Sequence, residues 1–182
     1  MRSKSFPGAL ICNKLPAPAS NRERGETMAE RLQYGRAFPE GIQALLALGK
    51  VMSASGLEPS LRELVTIRAS QLNGCAYCID MHTKDARAAG ETEQRLYALF
   101  AWRETPFFTP RERAALAWTE ALTNIQQGHA SDEAYADARS AFDESELTKL
   151  TLSIAYINSW NRIALAFRAE PGTYQPAAHL TA

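Results

Sequence analysis

A chain of 182 residues carrying 20 basic and 20 acidic side chains, with three histidines, three cysteines and no net charge, is long enough for one domain with a substantial core. The balance of charge leaves no basic excess of the kind a nucleic-acid partner requires. The longest uncharged run near the C-terminus, Leu150 to Asn161, holds only twelve residues and two asparagines, too short and too polar to cross a bilayer.

The first segment, residues 1–27, is rich in Pro, Ser, Gly, Arg and Asn without apolar periodicity, which predicts a disordered arm. Its basic start is followed by a short apolar run broken at Pro7, so it does not read as a signal peptide. Met28 stands immediately before the patterned sequence and is the expected physiological start. With three cysteines and no export signal, a reducing cytoplasm is expected, where a close Cys pair is catalytic, redox-active or metal-binding.

From Met28 onward the punctuation is helical. Pro39 and Pro59 sit where first helical residues belong, and Gly56, Gly90 and Gly128 where helices end. Thr109-Pro110-Arg111-Glu112 has the form of a capping box, and Ser131 and Asp143 are further N-caps. Between these marks apolar residues recur every three or four positions, as in Leu61, Leu64, Val65 and Leu72, and no strand alternation is seen. The expected fold is all-α, one compact domain over 28–170 with a C-terminal tail at 171–182. About seven helices are expected, over 40–54, 59–72, 75–89, 92–102, 110–127, 131–142 and 144–168.

The stretch N-G-C-A-Y-C-I-D-M-H concentrates the chemistry. On a helix at about 100° per residue, Cys75, Cys78 and His82 fall within about 60° of one another. Ile79, Ala86 and Ala89 share that face, and Asp80, Lys84, Arg87 and Glu91 take the other. Asn73-Gly74 ends the preceding helix and puts Cys75 in the first turn of the next. Unpaired amides there favour a thiolate, the spacing lets the pair close a disulfide, and His82 follows Cys78 by one turn, in reach of its proton. Zinc is the first alternative, but the Cys-x-x-Cys-x-x-x-His pattern supplies three ligands where a structural site needs four. Cys12 lies in the arm, and His129 and His179 have no motif spacing. The second alternative is two ordinary buried cysteines packed as small hydrophobes.

Glu63 stands twelve residues before Cys75, and Glu63 with C-A-Y-C-I-D-M-H resembles the alkylhydroperoxidase D-like branch of the carboxymuconolactone decarboxylase superfamily. R-E-L-V-T-I-R-A-S-Q-L-N-G-C before the motif and I-N-S-W-N-R-I-A-L-A-F-R near the end are similar too, so the resemblance spans roughly residues 38–168. It implies an all-helical, oligomeric thiol enzyme that reduces hydroperoxides and is recycled by a dithiol or lipoyl-bearing protein, with no metal and no organic cofactor. Carried over position by position, Cys78 would attack the peroxide, Cys75 would be the more accessible resolving thiol, and His82 with Glu63 would deprotonate Cys78. The sequence departs from that pattern at Tyr77, where the family's thiol members have a histidine; a phenol donates a hydrogen bond but is a poor base at neutral pH. By its phase alone Glu63 would be a solvated residue, or one paired locally with Arg62 or Arg68. Two other readings use the same residues: a non-catalytic redox-sensing or metal-holding module, and a superfamily enzyme acting on a lactone or keto acid, against which the Cys pair argues.

Elsewhere, Tyr156, Trp160 and Ile163 have the spacing of core or subunit interface, and Phe107 and Phe108 that of a hydrophobic staple or crevice wall. Asn158 and Asn161 are polar in an apolar helix and need partners if buried. Apolar residues spread round the last long helix point to self-association.

Overall fold

The computed structural model describes residues 29–176; the expected arm over 1–27, the expected start at Met28, Cys12 and His179 lie outside the described residues. Among them the chain is helical without strands: α1 Tyr34–Ala37, α2 Pro39–Ser53, α3 Pro59–Asn73, α4 Ala76–Ala88, α5 Glu93–Ala98, α6 Pro110–Thr123, α7 Asp132–Ala141 and α8 Glu144–Phe167. The expected caps are in place. Thr109 Oγ1 accepts from Glu112 N and Glu112 Oε2 from Thr109 N; Asp143 and Glu146 repeat the exchange, and Ser131 Oγ accepts from Ala134 N.

Three spans differ from expectation for identifiable reasons. The short α1 has no periodicity to announce it and is held from outside: Tyr34 packs on Phe167 at 5.7 Å and on Trp160 at 6.5 Å between ring centroids, and Arg31 N bonds Phe167 O. The expected 92–102 helix breaks at Leu99 into a 3₁₀ segment, Leu99–Glu104, in which Ala101 leaves helical geometry. There the Arg68 guanidinium takes the Phe100 carbonyl, while Arg113 takes those of Trp102, Arg103 and Thr105. The expected 110–127 helix stops at Thr123 and continues as a 3₁₀ turn, Ile125–Gln127.

Helix α3 is the centre of the bundle and packs on α4, α6 and α8. One core cluster joins Leu61 and Val65 of α3 to Ala115 and Trp118 of α6, Ala138 and Phe142 around α7, and Leu147, Leu150 and Ile154 of α8. A second puts Leu64 and Ile67 against Ala86, Leu96, Leu99, Trp102, Phe108 and Leu116. Phe108 therefore joins the core, with Arg95 over its ring at 4.9 Å. Trp160 and Tyr156 meet edge-on at 6.2 Å, half-buried in the packing of α8.

The α3–α8 contact carries a polar network. The Asn73 amide donates to Ala69 O, to Asn158 Oδ1 at 2.9 Å and to Asn161 Oδ1 at 2.8 Å. Asn161 Nδ2 donates to Ser70 Oγ, and Asn158 Nδ2 to Thr123 Oγ1 and Ile154 O. Asn161 and Ser70 are fully buried, so each must be partnered inside the protein. Truncating Asn161 to Ala leaves both Asn73 and Ser70 short of a partner. It is expected to destabilise the fold by about 2 kcal/mol, read as a lower denaturant midpoint with unchanged slope.

Buried carboxylates set the acid behaviour. Burial opposes ionisation of Glu120, but hydrogen bonds from Trp102 Nε1 and Arg68, with the Arg68 and Arg103 charges, hold its carboxyl below the usual range. Glu112 is likewise held low against burial by Arg95 and the Thr109 amide. Carboxyls depressed in the folded state contribute stability that is complete above the ordinary Glu value and lost as pH falls through the folded one. Chemical denaturation should therefore show stability declining as pH drops below about 4.5, and Glu120→Gln should flatten that decline.

Candidate active site

The turn between α3 and α4 builds the site. Gly74 adopts φ 68°, and an added Cβ would meet no neighbouring atom, so the requirement for glycine is conformational. Gly74 N bonds Gln71 O and Cys75 N bonds Ser70 O at 3.0 Å, the paired bonds of a Schellman ending. Cys75 thereby emerges as the N-cap of α4, one residue outside the helix the sequence reading began with it. Its Sγ accepts from Cys78 N at 3.4 Å. A sulfur held against the free amides of a helix N-terminus is favoured as a thiolate.

Cys75 and Cys78 are joined in a disulfide across a Cα–Cα distance of 5.4 Å. Both are buried, at 1% and 2% exposure, beneath Ala164 with Tyr77 and Ala169 alongside. The expectation that Cys75 is the more exposed of the two is therefore corrected: the end of α8 closes over both alike. What separates them is a cleft of about 420 Å³ between the start of α4 and the end of α8, which Cys75 lines and Cys78 does not. Tyr77 forms part of its wall, and its hydroxyl bonds no other described residue.

His82 and Glu63 meet across α4 and α3, with Nδ1 3.1 Å from Oε2. The carboxylate fixes the proton on Nδ1 and leaves Nε2 as the acceptor. Glu63 pairs with His82 and not with Arg62 or Arg68: Arg68 is committed to Glu120 and Gln71, and the Arg62 Nε is left without a partner among the described residues. Among the described residues no hydrogen bond joins His82 to the Cys78 sulfur, which is held in the disulfide.

The face of α4 expected to be solvated is crossed by the chain's own end. Residues 172–174, expected as tail, are bound to it: Gly172 N donates to Asp80 Oδ2, and Lys84 Nζ to Tyr174 O while also pairing with Asp80. Tyr174 OH donates to Asp85 Oδ1 at 2.7 Å. Burial pushes the Tyr174 phenol up to about 12, with the Asp85 hydrogen bond adding to it. Burial likewise raises Asp85, opposed by the Tyr174 bond and the His82 charge and reinforced by Glu63. Glu63 and Asp85 both line a second cavity of about 660 Å³, together with Arg62 and Arg95. Asp85 and Tyr174 were not singled out in the sequence. Asp85 lies three residues beyond His82, one helical turn on, which was the available signal; for Tyr174, 89 residues away, there was none.

Among the described residues no group of three or more His, Cys, Asp or Glu side chains is arranged to hold a metal ion, and no helix is long and apolar enough to cross a membrane. His129, with φ 51°, follows Gly128 beyond the α6 end, as its position in the sequence implied.

Comparison with known proteins places this arrangement. The carboxymuconolactone decarboxylase family matches residues 39–121. The uncharacterized protein YdfG of Bacillus subtilis is 47% identical over 139 residues, covering 76% of this chain and 95% of its own. A crystal structure from Agrobacterium tumefaciens, of a protein of unknown function described as a putative antioxidant defence protein AhpD, superposes with a TM-score of 0.78 at 41% identity, over 80% of this chain and 100% of the other. The debrominase Bmp8, solved with 2,3,4-tribromopyrrole, shares the fold at 22% identity and a TM-score of 0.68, over 76% of this chain and 74% of its own. The chain belongs to the carboxymuconolactone decarboxylase family, as an AhpD-like member.

Proposed function

We propose that this protein is a thiol-dependent hydroperoxide reductase. The observation that carries the reading is the Cys75–Cys78 disulfide at the start of a helix whose next turn presents His82 already oriented by Glu63. A thiol that closes a disulfide with its neighbour, at a helix N-terminus and beside an oriented imidazole, has what peroxide chemistry needs from a protein.

In the reduced protein the Cys78 thiol gives its proton to His82 Nε2, and Glu63 stabilises the imidazolium through Nδ1. The thiolate attacks the terminal peroxide oxygen; the O–O bond breaks, Cys78 becomes a sulfenic acid, and the departing alkoxide takes the proton from His82 as an alcohol. Cys75 then attacks the Cys78 sulfur, forming the disulfide and releasing water. The balance is one hydroperoxide and two thiols converted to one alcohol, one water and one disulfide. A dithiol, free or on a lipoyl-bearing protein, returns the pair to thiols by exchange, entering at Cys75, the cysteine that lines the cleft. Tyr77 serves as a cleft wall rather than as a base. Self-association, in a cytoplasmic setting, belongs to the same proposal.

Reduced protein given one equivalent of organic hydroperoxide should lose two thiols and consume the peroxide, while Cys78→Ser should do neither. Survival of both wild-type thiols would falsify the reading. Replacing His82 with Gln is expected to slow thiol loss about 10²-fold at neutral pH. Glu63→Gln, which acts only through His82, should slow it about tenfold and leave the melting temperature nearly unchanged. Equal rates for all three proteins in a stopped-flow peroxide assay would exclude the relay.

A further inference from the structure

The cleft at Cys75 has a character of its own. Its walls are Tyr77, Ala164, Leu165, Ala169 and Pro171, which are apolar apart from the tyrosine hydroxyl, and its charged lining residues are Arg168 and the exposed Glu170. At about 420 Å³ it falls within the range of small-molecule pockets, roughly 300–1,000 Å³. Hydrogen peroxide alone has no use for an apolar chamber of that size.

Two features of Arg168 bear on the cleft. It caps the C-terminus of α8 at φ 57°, ψ 55°, the left-handed position where helices ordinarily end in glycine because other side chains are strained there. Among the described residues its guanidinium forms no ion pair and no side-chain hydrogen bond, as is also true of Arg36 and Arg62, but of these only Arg168 lines the cleft at Cys75. A half-buried cation with no partner among the described residues, on a left-handed backbone at the rim of an apolar cleft, is placed to meet a ligand. Strain of this kind is retained where the side chain has other work.

We propose that the cleft beside Cys75 binds an organic hydroperoxide bearing a carboxylate, with Arg168 as the partner of that carboxylate and the apolar walls around the body of the molecule. The inference rests on the hydroperoxide reductase reading and names its substrate class. Arg168 contributes by holding the substrate, so that the peroxide end lies toward the two sulfurs; electrons and atoms move as in the reaction above, and the carboxylate leaves unchanged on the alcohol product.

The test compares cumene hydroperoxide with the same molecule carrying a para-carboxylate, each as the second-order rate of thiol loss in reduced protein. The wild type should favour the carboxylated peroxide by about tenfold at low salt, and the preference should shrink as ionic strength rises. Arg168→Gln and Arg168→Gly should both lose it, with neutral cumene hydroperoxide little affected. Arg168→Gly should also melt above the wild type, because glycine relieves the left-handed strain; a purely structural arginine would not separate stability from substrate preference in this way. Retention of the preference in both variants, or its absence from the wild type, overturns the proposal. 4-Isopropylbenzoate, which has no peroxide bond, reads the cleft independently of the chemistry, through amide shifts of Tyr77, Ala164 and Ala169 in the oxidised protein. Binding that Arg168→Gln abolishes supports the cleft assignment even where neither peroxide consumes thiols, a result that sinks the reductase reading alone. Shifts unchanged in Arg168→Gln overturn the cleft assignment.

Discussion

The side-chain amide of Asn73 is the constraint on which the site depends. Its bonds to Asn158 and Asn161 pin the last turn of α3 to the middle of α8, in an interior where an unpartnered amide is costly. Everything downstream inherits that fixing. The Gly74 turn can leave α3 in only one direction, and Cys75 must then sit against the amides of α4, facing the end of the same α8 that holds Asn73. Apolar packing alone would permit small slides between α3 and α8; a set of directional bonds among three asparagines and a serine selects one register.

Around that frame the arginines act mainly on the backbone. Arg68, Arg113 and Arg111 reach carbonyls that the surrounding helices leave open at kinks and ends, while Glu120 and Glu146 balance the charges of Arg68 and Arg111. The site stays outside this lattice. The contact of His82 with Glu63 shares no hydrogen-bond partner with the arginine networks. The two sides of α4 are also distinct: one borders the cleft at Cys75, whereas Glu63 and Asp85 open on the larger cavity with Arg62.

Much of this could be read from the sequence, for physical reasons. Helix ends are announced by local chemistry, so Pro39, Pro59, Thr109 and Asp143 marked their helices correctly. Helical geometry put Cys78 and His82 on one helix, α4, while Cys75 precedes it as the N-cap. Glu63 was legible only through resemblance, since its phase favoured solvent and its partner lies on another helix. The break at Leu99 was hidden because its cause, an arginine from α3 taking the Phe100 carbonyl, is a long-range contact. The roles of Asn158 and Asn161 were half visible: their polarity in an apolar helix demanded partners, but only the fold could name Asn73 and Ser70. That Cys75 is covered as fully as Cys78 was not legible, because the residues packed there, Ala164 and Ala169, are small and unremarkable in sequence.

The attachment of residues 172–174 to α4 bears on how the molecule is made. Apart from Tyr77, the groups named as covering the sulfurs, and the strap that clasps α4, come from the last part of the chain, Lys84 and Tyr174 being 90 positions apart. During synthesis α3 and α4 leave the ribosome together, with the turn that presents Cys75 formed by local bonds alone. The closing wall does not exist until α8 and the strap after it have been translated. Contacts of such long separation form late. The thiol pair, like the core cluster that α8 completes, is thus enclosed only once the last helix is in place, and before that the turn carrying Cys75 stands open.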